Sequence, residues 1–206
     1  MSKAIRESIT KTFGFEPICI NSALVSAQNR QRLYWAGKRN ADGTYSKVEV
    51  EQPKDRGILL KHILEDGCLV DKNKSYCLKH QAGNARDYFK KHHTQIKFEP
   101  IKATSAADGK TYSVYEVRDG QITIKDKQYP IKLEDGFYII RKLTVTECMR
   151  LQTVPEWYKF PVSDTQAYKM LGNGWTVEVI IHLINATQTG ELGEEQLDLL
   201  KMLGVN

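Results

Sequence analysis

No stretch of the 206 residues approaches the roughly 18 consecutive apolar residues of a membrane span, so a transmembrane helix is excluded. The opening Met1-Ser2-Lys3-Ala4-Ile5-Arg6 leads into charge, not into the apolar centre of a secretory signal, which makes the cytoplasm the expected compartment. Cysteine is scarce and dispersed. Cys19, Cys68, Cys77 and Cys148 form no C-x-x-C pair, so neither a disulfide framework nor a zinc ribbon is indicated and reduced thiols are expected. Cys68, Cys77, His80 and His92 together have a spacing that matches no common zinc site, and no metal is expected. Internal repeats and low-complexity tracts are absent as well. What remains is a chain with 41% apolar residues, enough for the core of one large domain or two small ones.

The net charge of +5 is unevenly placed. Residues 1–39 carry 7 basic and 2 acidic side chains, and residues 71–102 carry 8 and 3, so the rest of the chain is acidic. The second block also holds His80, His92, His93, Tyr76, Tyr88 and Phe89. Cations interleaved with rings suit a phosphate-contacting surface, and they suit a solvated basic face equally well.

Ser2 to Phe13 reads as a helix capped by Ser2, with Ile5, Ile9 and Phe13 four residues apart and Gly14 placed to stop it. Pro17 to Ile20 reads as a strand, residues 27–32 as a polar link, and Leu33 to Gly37 as a second strand, an α/β opening. From residue 40 to about 136 the texture is turn-rich and mainly β, punctuated by Asp42-Gly43, Asp66-Gly67, Asp108-Gly109, Asp119-Gly120 and Asp135-Gly136. A hairpin is expected where residues 111–117 and 121–124 flank Arg118-Asp119-Gly120. Thr144-x-x-Glu147 has the form of a capping box, opening a short helix with Cys148 and Leu151 inward. Further helices are expected over Ser163–Leu171, over Thr176–Ala186 with Val177, Ile180, Ile181 and Ile184 on one side, and over Glu194–Leu203.

Three stretches carry chemistry. Gln28-Asn29-Arg30-Gln31-Arg32 places two arginines at i and i+2, so that in an extended segment both point the same way. Arg141-Lys142-Leu143-Thr144-x-x-Glu147-x-x-Arg150-Leu151-Gln152-x-x-Pro155 is the second, and Gly172-Asn173-Gly174-Trp175-Thr176-Val177 is the third. In content and order they resemble the C-terminal part of a DNA cytosine-5 methyltransferase, with residues 40–140 where that family has its target-recognition region. The resemblance implies the C-terminal portion of a Rossmann-like, S-adenosylmethionine-dependent fold. Residues 1–39 would end the catalytic α/β domain, 40–140 would form a mainly β recognition insert, and 141–206 would return to the catalytic domain.

By the same resemblance Arg32 contacts a flipped cytosine, and Arg30 faces the DNA backbone or braces the site. Gly172, Asn173 and Gly174 form a turn at a helix start whose N–H groups meet the carboxylate of S-adenosylmethionine. Gly174 departs from the serine common in the family. Gln28, Arg30, Arg150, Lys79, Arg86, Lys90 and Lys91 are the expected contacts to double-stranded DNA. The family's Pro-Cys nucleophile, Glu-Asn-Val and glycine-rich cofactor turn do not occur in these residues. An N-terminal half that supplies them, or self-association covering apolar faces, is therefore the expected partner, and the chain alone is expected to be inactive. Alternatives are a non-catalytic DNA-binding or regulatory module derived from such an enzyme, or Met1 as an internal start within a complete one.

Overall fold

The computed structural model describes residues 1–78, 96–101 and 113–188. Helix α1 (Lys3–Phe13) begins with the Ser2 hydroxyl accepting the Ile5 N–H and ends at Gly14, whose φ of 79° is the left-handed conformation that closes helices. None of its residues is buried, and Ile5 is 54% exposed. Its Phe13 ring meets Tyr45 edge-on at 4.9 Å, on a hairpin formed by β4 (Gly37–Arg39) and β5 (Tyr45–Lys47).

Strand β1 (Ile18–Asn21) pairs antiparallel with β3 (Gln31–Tyr34), and between them lies β2 (Gln28–Asn29). The polar link expected over residues 27–32 is thus largely β structure. Its polarity reflects a buried hydrogen-bonding function, because Gln28 is fully buried. Strand β2 pairs with β6 (Ser75–Tyr76), and this two-residue ladder is the only parallel pairing among the described residues.

The middle of the chain builds a five-stranded antiparallel sheet, ordered β10-β9-β8-β11-β7. Its strands are β7 (Ile96–Pro100), β8 (Val114–Arg118), β9 (Gln121–Ile124), β10 (Lys127–Pro130) and β11 (Gly136–Lys142). The expected hairpin is present: Val117 pairs with Ile122, and Asp119 and Gly120 both adopt positive φ, the turn that matches strand twist. Alternate residues of β8 and β9 place Val117, Ile122 and Ile124 against Phe98, Tyr138 and Ile140 in one apolar cluster.

Strand β11 runs through Leu143 into α2 (Val145–Leu151), two residues past the expected 140/141 division. The capping box forms as read: Glu147 N–H donates to Thr144 Oγ1 at 3.1 Å, and Thr144 N–H donates to Glu147 Oε2 at 2.8 Å. Cys148 and Leu151 join Ala27, Leu60, Ile63, Leu78, Leu143 and Leu171 in a second cluster. Residues 60–78 therefore pack with the C-terminal helices. Helix α3 (Asp164–Asn173) extends through Gly172, and α4 (Val177–Thr187) follows. Helix α4 buries Val179 and Leu183 against Ile20 and Val25, and leaves Ile184 exposed. Of Val177, Ile180, Ile181 and Ile184, expected together on one side, Ile180 packs in this cluster and Val177 and Ile181 are half-buried. Glu178, His182 and Asn185 form a polar stripe, and the apolar arc opposite is so wide that periodicity could not choose its most buried line. The expected helix over Glu194–Leu203 lies outside the described residues.

One charged clasp joins sheet and helices. Lys97 of β7, its side chain 3% exposed, donates to Glu147 Oε1 at 2.9 Å and to Asp66 Oδ2 at 2.6 Å. Glu147 also accepts the Glu65 N–H at 3.2 Å. Burial works against the charged Lys97, but its bonds to Asp66 and Glu147 outweigh it and raise its pKa. For Asp66 burial is likewise outweighed, here by hydrogen bonds from Cys68 and Lys97, and its pKa falls.

Lys97→Ala should strand Glu147 as a buried charge and destabilise the protein by about 3–5 kcal/mol in urea unfolding. Paired Lys97→Met/Glu147→Gln, which removes both charges and keeps side-chain acceptor capacity near the Thr144 and Glu65 N–H groups, should cost less. The Asp66 contribution is present above its unfolded pKa of about 3.9 and is lost as pH falls through its lowered folded value. The Lys97 contribution is lost only as pH rises through its raised folded value. Thermal unfolding of the parent should therefore show an acid loss that Asp66→Asn removes.

Candidate functional site

The site grows from one glutamine. Gln28 is held by neighbours on either side of its strand, since Ser75 N–H donates to Ala27 O at 2.7 Å and Asn21 Oδ1 accepts the Arg30 N–H at 3.0 Å. Its side chain is thereby directed inward. Gln28 Nε2 donates to Leu151 O and to Gln152 Oε1, both at 3.2 Å, while Gln28 Oε1 accepts the Leu78 N–H at 2.6 Å. Gln152 in turn donates through Nε2 to Leu171 O at 2.6 Å and more weakly to Gly174 O at 3.4 Å. Thr176 Oγ1 lies 2.8 Å from Ser22 Oγ and 3.0 Å from Gln152 Oε1. All three motif stretches thus meet in one buried polar network, with Gln28, Gln152, Ser22 and Thr176 each essentially inaccessible to water.

The two arginines separate from this network in opposite ways. Arg30 is buried: Nη2 donates to Gly174 O at 2.6 Å and Gly172 O at 3.3 Å, and Nη1 lies 2.9 Å from Cys77 Sγ. Its Nε has no hydrogen-bond partner among the described residues, a cost that the other bonds must offset. Burial lowers its pKa, yet a guanidinium remains charged at neutral pH. Arg32 is exposed, with Nη1 on Gln31 O at 2.8 Å and Nη2 3.2 Å from the same Cys77 sulfur. The expectation that both point one way therefore holds at Cys77.

The Gly172-Asn173-Gly174 turn is the C-terminal end of α3. Gly174 N–H donates to Met170 O at 2.8 Å, and α4 begins only at its cap Thr176. A helix C-terminus offers carbonyls and the negative end of the dipole, so here the Gly172 and Gly174 carbonyls receive a cation, Arg30. This corrects the expected N–H cradle for a carboxylate. Asn173 is exposed at the end of the turn, and Trp175, 65% exposed, borders an apolar cleft with Tyr158, Phe160, Met170 and Val177.

The model of the C-5 cytosine-specific DNA methylase family matches residues 15–189. The chain belongs to that family. It is similar to Type II methyltransferase M.HpaII of Haemophilus parainfluenzae, at 28% identity over 190 residues that cover 86% of this chain and 52% of that protein. Type II methyltransferase M1.ScrFI of Lactococcus lactis subsp. cremoris is 30% identical over 166 residues, covering 74% of this chain and 37% of that protein. Among solved structures, Entamoeba histolytica methyltransferase EhMeth overlays with a TM-score of 0.45 at 14% identity, covering 84% of this chain and 52% of that one. The chain spans about half or less of the length of these proteins.

Within this C-5 cytosine methylase chain, several expected DNA contacts are placed elsewhere. Gln28 is a buried tether, which corrects its assignment to DNA: every hydrogen bond it makes is internal. Arg30, expected either to face the DNA backbone or to brace the site, makes its hydrogen bonds among the described residues to Gly172 O, Gly174 O and Cys77 Sγ. Arg150 donates to Glu156 Oε1 at 2.8 Å and Ile63 O at 3.1 Å, so its guanidinium holds the loop after α2. Lys79, Arg86, Lys90 and Lys91, with Tyr88, Phe89, His80 and His92, lie outside the described residues. Of the thiols, burial pushes Cys148 far up and, with Asp66, pushes Cys68 up to about 12, so both stay protonated at neutral pH. The sequence reading missed Gln152, Thr176 and Cys77 as site residues. For Gln152 the signal was a polar residue directly after an apolar helix end; Cys77 gave none, because its neighbours are distant in sequence.

Gln28→Leu should leave the Leu78 N–H without its acceptor, while Leu151 O keeps the Ser26 hydroxyl and Gln152 Oε1 keeps Thr176 Oγ1. The expected loss is about 1–3 kcal/mol for the group left unpaired, read by urea unfolding.

Proposed function

We propose that this chain is the target-recognition and C-terminal part of a DNA (cytosine-5-)-methyltransferase, acting with an N-terminal half on double-stranded DNA. The observation that carries the reading is the convergence of three ordered family motifs on one buried network that leaves a single arginine, Arg32, at the surface. Arg32 positions a flipped cytosine through hydrogen bonds to its edge, and Arg30 keeps that arginine in register with the turn at residues 172–174. The antiparallel sheet β7–β11 is the recognition insert, and the basic block at 71–102 supplies phosphate contacts. The N-terminal half brings the cysteine nucleophile, and S-adenosylmethionine, when bound, supplies the methyl group. Of this chain's turn residues, Asn173 and the Trp175 ring are those free to touch the cofactor. The glycine N–H groups are not suited to it, lying at the wrong end of a helix.

The partner also suits the surface. Helix α1 has no fully buried residue and leaves Ile5 exposed, α4 leaves Ile184 uncovered, and Met170 and Trp175 are exposed at the end of α3. Apolar area of this kind marks a docking face.

Mixing the chain with a matching N-terminal half should restore transfer of tritiated methyl groups to unmethylated DNA, which neither half performs alone. Arg32→Ala in the pair should lower kcat/KM by at least about tenfold, the scale of a lost base contact. No restored transfer, together with tight DNA binding by the chain alone that ignores S-adenosylmethionine, would favour a non-catalytic DNA-binding module instead.

A further inference from the structure

We propose that Cys77 is a positioning residue for Arg32, its sulfur being the acceptor that ties the exposed guanidinium to the buried framework. This rests on the reading of Arg32 as the base-contacting arginine. Among the described residues the Arg32 side chain makes two hydrogen bonds. The one to Gln31 O is to its own neighbour and travels with it, so it fixes no direction relative to the rest of the protein. The bond to Cys77 Sγ, across 45 residues of sequence, is the one that does.

Cys77 is itself well placed to serve as an anchor. The preceding Tyr76 is paired with Asn29 in the β2–β6 ladder, and the following Leu78 N–H is locked to Gln28 Oε1 at 2.6 Å. Its thiol donates weakly to Leu78 O at 3.6 Å, which leaves sulfur lone pairs for acceptance. Arg30 Nη1 and Arg32 Nη2 both take them, at 2.9 Å and 3.2 Å. Arg30 is fastened at its far side to the carbonyls of Gly172 and Gly174. The result is a continuous line from the turn at the end of α3, through Arg30 and Cys77, to Arg32. Two like charges would otherwise drive the exposed arginine away from the buried one; a shared acceptor between them offsets that repulsion and sets their separation.

The test uses the full chain. In nitrogen-15 spectra of the arginine side chains, Arg32 should show restricted guanidinium rotation that is lost in Cys77→Ala and regained in part by Cys77→Ser, which keeps an acceptor. Arg30 signals should persist in both variants, reporting an intact fold. In methyl transfer with the N-terminal half, Cys77→Ala should lower kcat/KM about three- to tenfold. It should lower it no further when Arg32 is already alanine, an outcome that a merely structural role would not give. Unchanged Arg32 spectra in Cys77→Ala, with Arg32→Ala still impairing transfer, would overturn the Cys77 assignment alone. Freed Arg32 spectra in Cys77→Ala, with Arg32→Ala leaving transfer intact, would overturn the base-contact reading and the role of Cys77 with it.

Discussion

A glutamine amide buried among apolar side chains has little freedom, because each of its polar atoms left unpaired there costs what a hydrogen bond is worth in a medium of low dielectric. Gln28 meets that demand with the Leu78 N–H, the Leu151 carbonyl and the Gln152 side chain. These partners come from two parts of the chain, 50 and 123 to 124 residues beyond Gln28, so satisfying one amide brings three segments together. The neighbouring cluster of Leu60, Leu78, Leu143 and Leu171 supplies most of the burial energy, but apolar contact alone is tolerant of small shifts. Directional bonds from two amides and two hydroxyls are not, and they determine the register of β2 against α2 and the end of α3.

From that register the division of labour between Arg30 and Arg32 follows. Residues two apart on a strand share a face, yet one guanidinium reaches inward to carbonyls and the other stays in solvent, because the end of α3 lies beside the first and not the second. The helix end supplies carbonyl oxygens with a partial negative charge, which a cation complements well. Arg30 is therefore committed to structure, and the chemistry available at the surface belongs to Arg32. The charged clasp of Lys97, Glu147 and Asp66 does for the β sheet what Gln28 does for the arginines. It turns packing of β7 on α2 into a fixed orientation, at the expense of desolvating a carboxylate and an ammonium.

In this member of the C-5 cytosine methylase family these two arrangements connect the five-stranded sheet and the exposed Arg32 to the same helices through buried polar contacts. A site held by buried polar bonds is pre-organised, so a ligand that meets it leaves little to be ordered.

Local signals were legible wherever a few adjacent residues decide the outcome. Ser2 and Gly14 bounded α1, Thr144 and Glu147 opened α2, and Asp119-Gly120 made the β8–β9 turn, since caps and turns are contacts over two to four residues. The ordered motifs likewise announced the family and the arginine pair. Tertiary structure alone decided that Gln28 is a tether, that the Gly172 and Gly174 carbonyls receive Arg30, and that α4 turns Val179 and Leu183 inward. It alone brought Cys77 between Arg30 and Arg32. Each of these depends on partners dozens of residues away, and no pattern of neighbours along the chain encodes which distant carbonyl, amide or sulfur will be there to meet a side chain.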